Sequence, residues 1–216
     1  MKRRTLPAAV AAAAAASLAL TACGGGGSSK SNAKITGADT GKSTPSSSPS
    51  SSADTVQRPN VTLPSDVKEV FEGWHSSDPD EAAALEDAKR RIDATDAAIA
   101  NNDLNSKAIP FYYTSKALLD AADWIKGYTD DGYTITGTTR YYDPQFTKYG
   151  KGSIGLAYCS DESKAYDKNR KTNKVDKTPV TNKSYVFYNT RMDKNAQGVW
   201  QASMLASVRG SAKCTP

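Results

Sequence analysis

The sequence predicts an α+β domain in which N-terminal helices pack on a curved antiparallel sheet of about four strands, preceded by a disordered tether. Three observations predict this fold. Residues 24–60 are mostly Gly, Ser, Thr and Pro, residues 65–130 repeat apolar side chains at helical spacing, and residues after 133 alternate apolar with polar side chains. Because the helical segments all precede the strands, the order favours α+β rather than repeating βαβ units.

The N-terminus predicts a lipoprotein signal peptide over residues 1–22. A basic stretch at 2–4 precedes an Ala-rich apolar run at 5–20, which is shorter than a comfortable membrane span. The run ends in Leu-Thr-Ala-Cys-Gly at 20–24, the pattern of a lipobox. We therefore expect Cys23 to carry a diacylglycerol and to hold the chain in the bilayer, on the outer face of the cell membrane. A plain signal peptide with an unrelated cysteine is the alternative.

The lipidated Cys23 begins a predicted flexible tether that extends to residue 62. This segment lacks the apolar side chains whose burial would offset the entropy of ordering it. As a coil of about 40 residues it has an end-to-end distance of roughly 35 Å. Residues 63–216 form the predicted globular domain, and about 150 residues are enough for one hydrophobic core.

Three helices are predicted at the start of the domain. The first covers Ser65–Trp74. The second begins at Pro79 with Asp78 as its N-cap and buries one apolar stripe, with Asp and Arg side chains opposite: Ala82, Leu85, Ala88, Ile92, Thr95 and Ile99. The third begins near Thr114 and buries Leu118, Ala121, Ala122, Ile125 and Tyr128.

Four strands are predicted in the second half, and each follows from the alternation of apolar and polar residues. They cover residues 133–141, 154–158, 184–192 and 199–208. Residues 193–198 form a predicted hairpin loop between the last two strands. Residues 172–182, which are polar and contain Pro179, form a predicted long loop.

Charge divides the domain into two halves. Residues 65–135 carry 15 acidic against 7 basic side chains, a net charge of −8, and residues from 136 onward carry 14 basic against 6 acidic, a net charge of +8. The two halves should attract each other or present opposite faces. Nucleic acid is not an expected partner, because the acidic half repels phosphate and no nucleic-acid-binding motif is present.

Cys159 and Cys214 remain once Cys23 is assigned to the anchor. Outside the cytosol a disulfide between them would persist, and closing a loop of about 55 residues would stabilise the domain by roughly 4 kcal/mol. Free thiols or a metal pair are the alternatives, and only His75 could complete a metal site. We therefore expect no metal and no cofactor.

The chain resembles secreted actinobacterial lipoproteins of unassigned function. The resemblance covers nearly the whole domain and is carried by the runs Val70–Glu72, Thr136–Tyr142, Tyr158–Asp161, Lys164–Lys168 and Gly198–Gln201. It implies a nuclear-transport-factor-2-like (cystatin-like) cone, an extracytoplasmic location and pairing of Cys159 with Cys214. It implies no known activity, so no catalytic residue is predicted.

Cones of this fold often hold a pocket between the sheet and the long helix, which makes phenols and carboxyls on the strands candidate pocket residues. These are Tyr142, Asp143, Tyr158 and Asp161. Aromatic packing and solvated turns explain the same residues without a pocket. His75, the only histidine, is expected to be an exposed or capping residue.

The sequence therefore favours a lipid-tethered extracytoplasmic module that binds an envelope protein or a small ligand and performs no catalysis. One alternative is an isomerase or dehydratase-type enzyme that uses Tyr142 with Asp143 or Asp161. The other alternative is a subunit of an envelope secretion or conjugation assembly.

Overall fold

The computed structural model describes residues 56–216. The predicted signal peptide, Cys23 and most of the predicted tether lie outside the described residues.

The described chain forms three helices and six strands in an α+β order that confirms the predicted class. The elements are β1 (Val67–Phe71), α1 (Pro79–Asn101), α2 (Ala108–Tyr112), α3 (Ser115–Asp130), β2 (Tyr133–Gly150), β3 (Ser153–Asn169), β4 (Val175–Asp176), β5 (Tyr185–Lys194) and β6 (Trp200–Arg209). A short 3-10 turn, Asn182–Ser184, precedes β5.

The sheet is mixed, with strand order β1-β2-β3-β5-β6, and β4 pairs with the end of β3. β1 runs parallel to β2, whereas the other neighbouring strands are antiparallel. The sheet therefore has two more strands than the four predicted. The prediction that all neighbouring strands run antiparallel was wrong for β1 and β2. The missed strands are the two shortest, of five and two residues.

The segment predicted as a first helix, Ser65–Trp74, contains β1 instead. Its side chains alternate in burial: Val67 is buried, while Lys68 and Val70 are exposed. Over so few residues a strand period and a helical period produce similar apolar patterns, and pairing with β2 selects the strand. Gly73, at φ +68°, follows the strand in a conformation that ends regular pairing.

Helix α1 begins as predicted, because Asp78 Oδ1 accepts hydrogen bonds from the backbone N–H groups of Asp80 and Glu81, each at 3.1 Å. Most of the predicted apolar stripe is buried, including Leu85 and Ile92. The expectation that the Asp and Arg residues point away from the core was wrong, because Asp87 and Arg91 are buried on the same helix.

Helix α3 begins after Thr114 and buries Ala121 and Ile125 as predicted, while Ala122 is exposed. The core lies between the helices and the face of the sheet that contacts them, which we call the inner face. Its largest buried side chains are Trp200, Tyr112, Tyr158, Leu85, Ile99, Ile154, Leu156 and Met192.

A disulfide joins Cys159 and Cys214, which confirms the predicted pairing. Cys159 lies on the opposite, outer face of β3, and its register partner on β2 is Tyr142. The bond therefore fixes the C-terminal segment against the outer face of the sheet.

Candidate functional site

The four candidate pocket residues lie on two faces of the sheet. Tyr142 and Asp161 are on the outer face, where Arg140 joins them: its guanidinium lies 4.4 Å from the centre of the Tyr142 ring and its Nη2 lies 3.3 Å from Asp161 Oδ2. Although burial opposes ionisation, hydrogen bonds from Ser163 and Arg140 hold the pKa of Asp161 below its usual value. These contacts form a polar cluster beside the C-terminal segment, where the Tyr142 hydroxyl donates to the Cys214 carbonyl.

The other two candidates, Asp143 and Tyr158, lie outside that cluster. Asp143 is exposed at a break in the β2–β3 register, with φ +54°, and it accepts a hydrogen bond from Gln145 at 2.7 Å. Tyr158 is buried on the inner face and accepts a hydrogen bond from Arg91. The structure thus brings Tyr142 and Asp161 together and places Tyr158 on the far side of the sheet.

Arg91 of α1 organises a buried polar network that the sequence did not predict. Its two terminal nitrogens donate to the hydroxyls of Tyr113 and Tyr158, each at 2.8 Å. The Tyr113 hydroxyl also lies 2.8 Å from Thr95 Oγ1. Burial raises the pKa of Tyr158, so its phenol stays protonated and neutral beside the guanidinium. The network fixes α1 against β3.

A pair of carboxyl groups lies between β1 and α1. Glu69 on the inner face of β1 lies next to Asp96 on α1, and the Tyr141 phenol lies beside Glu69. Burial and mutual repulsion raise the pKa of Glu69, and burial raises that of Asp96. Burial likewise raises the pKa of the neighbouring Asp93 to about 6. Asp93 and Asp96 therefore exchange protons near neutral pH, whereas the raised pKa of Glu69 keeps that carboxyl protonated there.

The sequence indicates this carboxyl pair, but the prediction of a helix over Ser65–Trp74 placed Glu69 on the wrong element. Once residues 67–71 form a strand, Glu69 lies between Val67 and Phe71 on the inward side. An inward-facing glutamate in a short strand indicates a partner that shares or neutralises its charge.

A cleft lies where β5 turns into β6, beside α2. Its volume is about 640 Å³, within the range of small-ligand sites. Its lining combines four amide side chains with apolar groups and contains no titratable side chain: Val56, Gln57, Pro110, Phe111, Asn195, Gln197, Val199 and Gln201. Val56 and Gln57 belong to the segment predicted as the tether, so the end of that segment contacts the cleft.

Hydrogen bonds fix two of the amides in place. Asn195 Oδ1 accepts from the backbone N–H groups of Gln197 and Val199, each at 3.0 Å. Gln201 Nε2 donates to the Phe111 carbonyl at 3.0 Å, which joins β6 to α2. The floor of the cleft is therefore ordered before any ligand arrives, which lowers the entropy cost of binding.

A second, smaller groove of about 270 Å³ lies between α2 and α3. It is lined mainly by apolar side chains, including Leu118 and Ile125, with Asp103 at its edge. Over residues 56–216 no group of three or more His, Cys, Asp or Glu side chains is placed to hold a metal ion. No helix in that range is both long and apolar enough to span a membrane.

Comparisons with known proteins give structural similarity at low sequence identity. No family model matches the chain, and no curated protein matches it. Solved structures similar to it include the intermembrane space region of the chloroplast protein ARC6, with 10% identity, a TM-score of 0.43, and coverage of 58% of this chain and 94% of that one.

Two further similar structures come from bacteria. A ketosteroid isomerase-like protein from Erwinia carotovora atroseptica has 15% identity, a TM-score of 0.41, and coverage of 60% of this chain and 95% of that one. The protein Aln2 from a Streptomyces species has 8% identity, a TM-score of 0.41, and coverage of 57% of this chain and 88% of that one.

Proposed function

We propose that the protein is a lipid-anchored extracytoplasmic binding module that takes an uncharged ligand in the cleft between α2 and the β5–β6 turn. The observation that carries the binding role is the composition of the cleft, which offers amides and apolar surface without a titratable group. Such a lining hydrogen-bonds amide and hydroxyl groups but supplies no side-chain acid or base for catalysis. The ligand is a small neutral molecule or an uncharged segment of an envelope protein.

The location of the cleft supports the anchored arrangement. The predicted anchor at Cys23 and the predicted tether lead to Val56, which lines the cleft. A ligand bound there contacts the domain next to its attachment point. The tether would limit how far this site can lie from the membrane that holds Cys23.

The binding role is tested with an array of uncharged peptides and neutral oligosaccharides probed with the full chain. Gln57→Ala combined with Gln197→Ala removes two exposed amides of the cleft. Gln145→Ala combined with Asn189→Ala removes two exposed amides outside it and serves as the matched control. We expect array ligands that bind the wild type to lose at least about tenfold in affinity with the cleft variant only, at roughly 1 kcal/mol per lost hydrogen bond. Ligands retained equally by both variants would contradict the proposal.

An enzyme of the isomerase or dehydratase type is a second candidate, and the Glu69–Asp96 pair is the observation that favours it. A carboxyl group whose pKa is raised toward neutrality can take a proton from carbon and return it. Tyr141 lies beside the pair as a neutral hydrogen-bond donor, because burial raises the pKa of its phenol.

This candidate predicts catalysed loss of deuterium from α-deuterated ketones. Asp96→Asn should abolish the exchange, whereas Asp103→Asn, at an exposed position, should leave it unchanged. A rate no greater than that of the buffer, or the same rate in both variants, would exclude the enzyme for this substrate class.

A further inference from the structure

The segment between β3 and β5 is strongly basic. Residues 170–183, here called the basic loop, contain Arg170 and four lysines against one acid, Asp176. All four lysines are exposed: Lys171, Lys174, Lys177 and Lys183. The loop also presents Val180, an apolar side chain that is 61% exposed.

The basic loop is fixed to the domain at its beginning. Arg170 Nη1 donates to the Ala100 carbonyl at 3.1 Å, at the C-terminal end of α1. Asn169 Oδ1 accepts from the backbone N–H groups of Lys171 and Thr172, at 3.1 and 2.9 Å. The lysines therefore project from a defined turn.

The basic loop and the tether attachment lie at opposite ends of β5. The loop leads into Tyr185, where β5 begins, and Val56 contacts the cleft at the turn that follows Lys194. Ten residues of strand span roughly 33 Å.

We propose that the basic loop docks on anionic phospholipid headgroups of the membrane that holds Cys23. The inference rests on the proposed lipid anchor. Lysines at a membrane surface are attracted to anionic headgroups, and an exposed apolar side chain among them enters the interface. Docking through this end turns the amide-lined cleft away from the bilayer.

The length of the tether supports a membrane partner over a distant one. The 33 residues from Cys23 to Val56 can reach at most about 110 Å. This reach exceeds the span of β5, so an anchored chain can place the basic loop on the bilayer. Attachment to the same membrane raises the effective concentration of the loop at the bilayer, and individually weak lysine contacts then suffice.

The experiment uses the full chain with Cys23→Ala, which carries no acyl chain, and phosphatidylglycerol or phosphatidylcholine vesicles. Changing Lys171, Lys174 and Lys177 to Glu should weaken binding to phosphatidylglycerol by about a hundredfold, from roughly fivefold for each lysine. The matched control changes Lys107, Lys116 and Lys151 to Glu, which are exposed lysines outside the loop with the same total charge. It should remain within about twofold of the parent chain. Val180→Ser should weaken binding by about threefold.

Several results would overturn the docking. These are equal loss in the loop and control variants, equal binding to both lipids, or tighter binding to a DNA duplex than to phosphatidylglycerol. The test is independent of the anchor, because the anchor is judged by fatty-acid incorporation into the wild type. Docking can therefore fail while anchoring stands, and anchoring can fail while docking stands.

Discussion

Gly137 occupies a backbone position that excludes a side chain. Its φ is +102°, and a Cβ built there would lie 2.1 Å from the Lys164 carbonyl oxygen. Gly137 is also where β2 pairs with both Val67 of β1 and Ala165 of β3. The close approach of these three strands depends on the missing side chain.

We expect Gly137→Ala to lower the free energy of unfolding by about 3 kcal/mol or more, because both the backbone angle and the contact are strained. Gly127→Ala is the matched control, since Gly127 lies within α3 and a Cβ there meets nothing within 4 Å. The control should stabilise the helix by about 0.5–1 kcal/mol. Urea denaturation measures both. Equal effects would contradict the role of Gly137.

Asp87 is a buried carboxylate with a complete set of partners. It accepts from Arg58 Nε at 2.8 Å, from Arg90 Nη1 at 3.2 Å and from the backbone N–H of Trp200 at 2.9 Å. The last bond joins α1 to the start of β6. The contact joins the acidic helical half to the sheet through the core.

Asp87→Ala should destabilise the domain by about 3–5 kcal/mol, because the buried Trp200 N–H and the guanidinium groups of Arg58 and Arg90 lose their acceptor. Glu86→Ala, one position earlier and exposed, should change stability by no more than about 0.5 kcal/mol. Thermal unfolding of the two variants decides the point. Similar midpoints for both would show that Asp87 has no structural role.

At the scale of elements, β1 is held to α1 by groups whose charge depends on pH. Glu69 faces Asp93 and Asp96 of α1, with the Tyr141 phenol beside it on β2. Arg90 and Lys89 of the same helix lower the pKa of Asp93, but burial outweighs them. Glu162 of β3 adds a further negative charge near Asp96.

Carboxyl groups with raised pKa values stabilise the fold while protonated and lose that contribution as pH rises. The folded chain then binds more protons than the unfolded chain, so stability should fall from about pH 4 up to about pH 10, the pKa of Glu69, by up to about 1.4 kcal/mol per pH unit for each group. Glu69→Gln should flatten this fall. Glu72→Gln, on the outer side just after the same strand, should preserve it. Urea unfolding across this range tests the claim, and a slope unchanged by Glu69→Gln contradicts it.

The disulfide ties the C-terminal segment to β3 across 55 residues of chain. Replacing both Cys159 and Cys214 by Ser should lower the free energy of unfolding by about 2–5 kcal/mol, because the unfolded chain regains the freedom of that loop. Reduction of the wild type should give the same loss. An unchanged denaturation midpoint after reduction would contradict a stabilising bond.

Elements with long, regular patterns were predictable from the sequence. The N-cap at Asp78 and the alternation after Tyr133 each specify a structure locally. β1 and the two-residue β4 were not predictable from the sequence. Five residues or fewer fit both a helical and a strand period, and pairing with strands distant in sequence decides between them. The cleft was missed for a similar reason, since Gln57, Phe111 and Gln197 meet only after folding.

Buried polar groups were the second feature that could not be predicted from the sequence. Asp87 and Arg91 look like members of a solvated helix face, because charged side chains in helices are usually exposed. Their partners, Trp200 and Tyr158, lie more than 60 residues away in sequence. Only the folded chain shows that these charges are paired within the core.

At the scale of the whole molecule, opposite charges of the two halves meet at the surface of the domain. Ion pairs cross between them, including Lys148 Nζ with Asp78 Oδ2 at 2.5 Å and Lys194 Nζ with Asp80 Oδ1 at 3.1 Å. Arg140 with Glu72 and Lys168 with Asp66 connect β1 to the sheet in the same way. These pairs accord with the predicted attraction between the halves, and each exposed pair contributes little by itself.

The central proposal is that this domain works outside the cell on a lipid anchor, and labelled fatty acid tests it most directly. Cells producing the wild type should incorporate label into the mature chain, which should fractionate with the membrane, and Cys23→Ala should incorporate none. Equal labelling of both chains, or an unlabelled wild type in the cytosol that retains residues 1–22, would contradict the account.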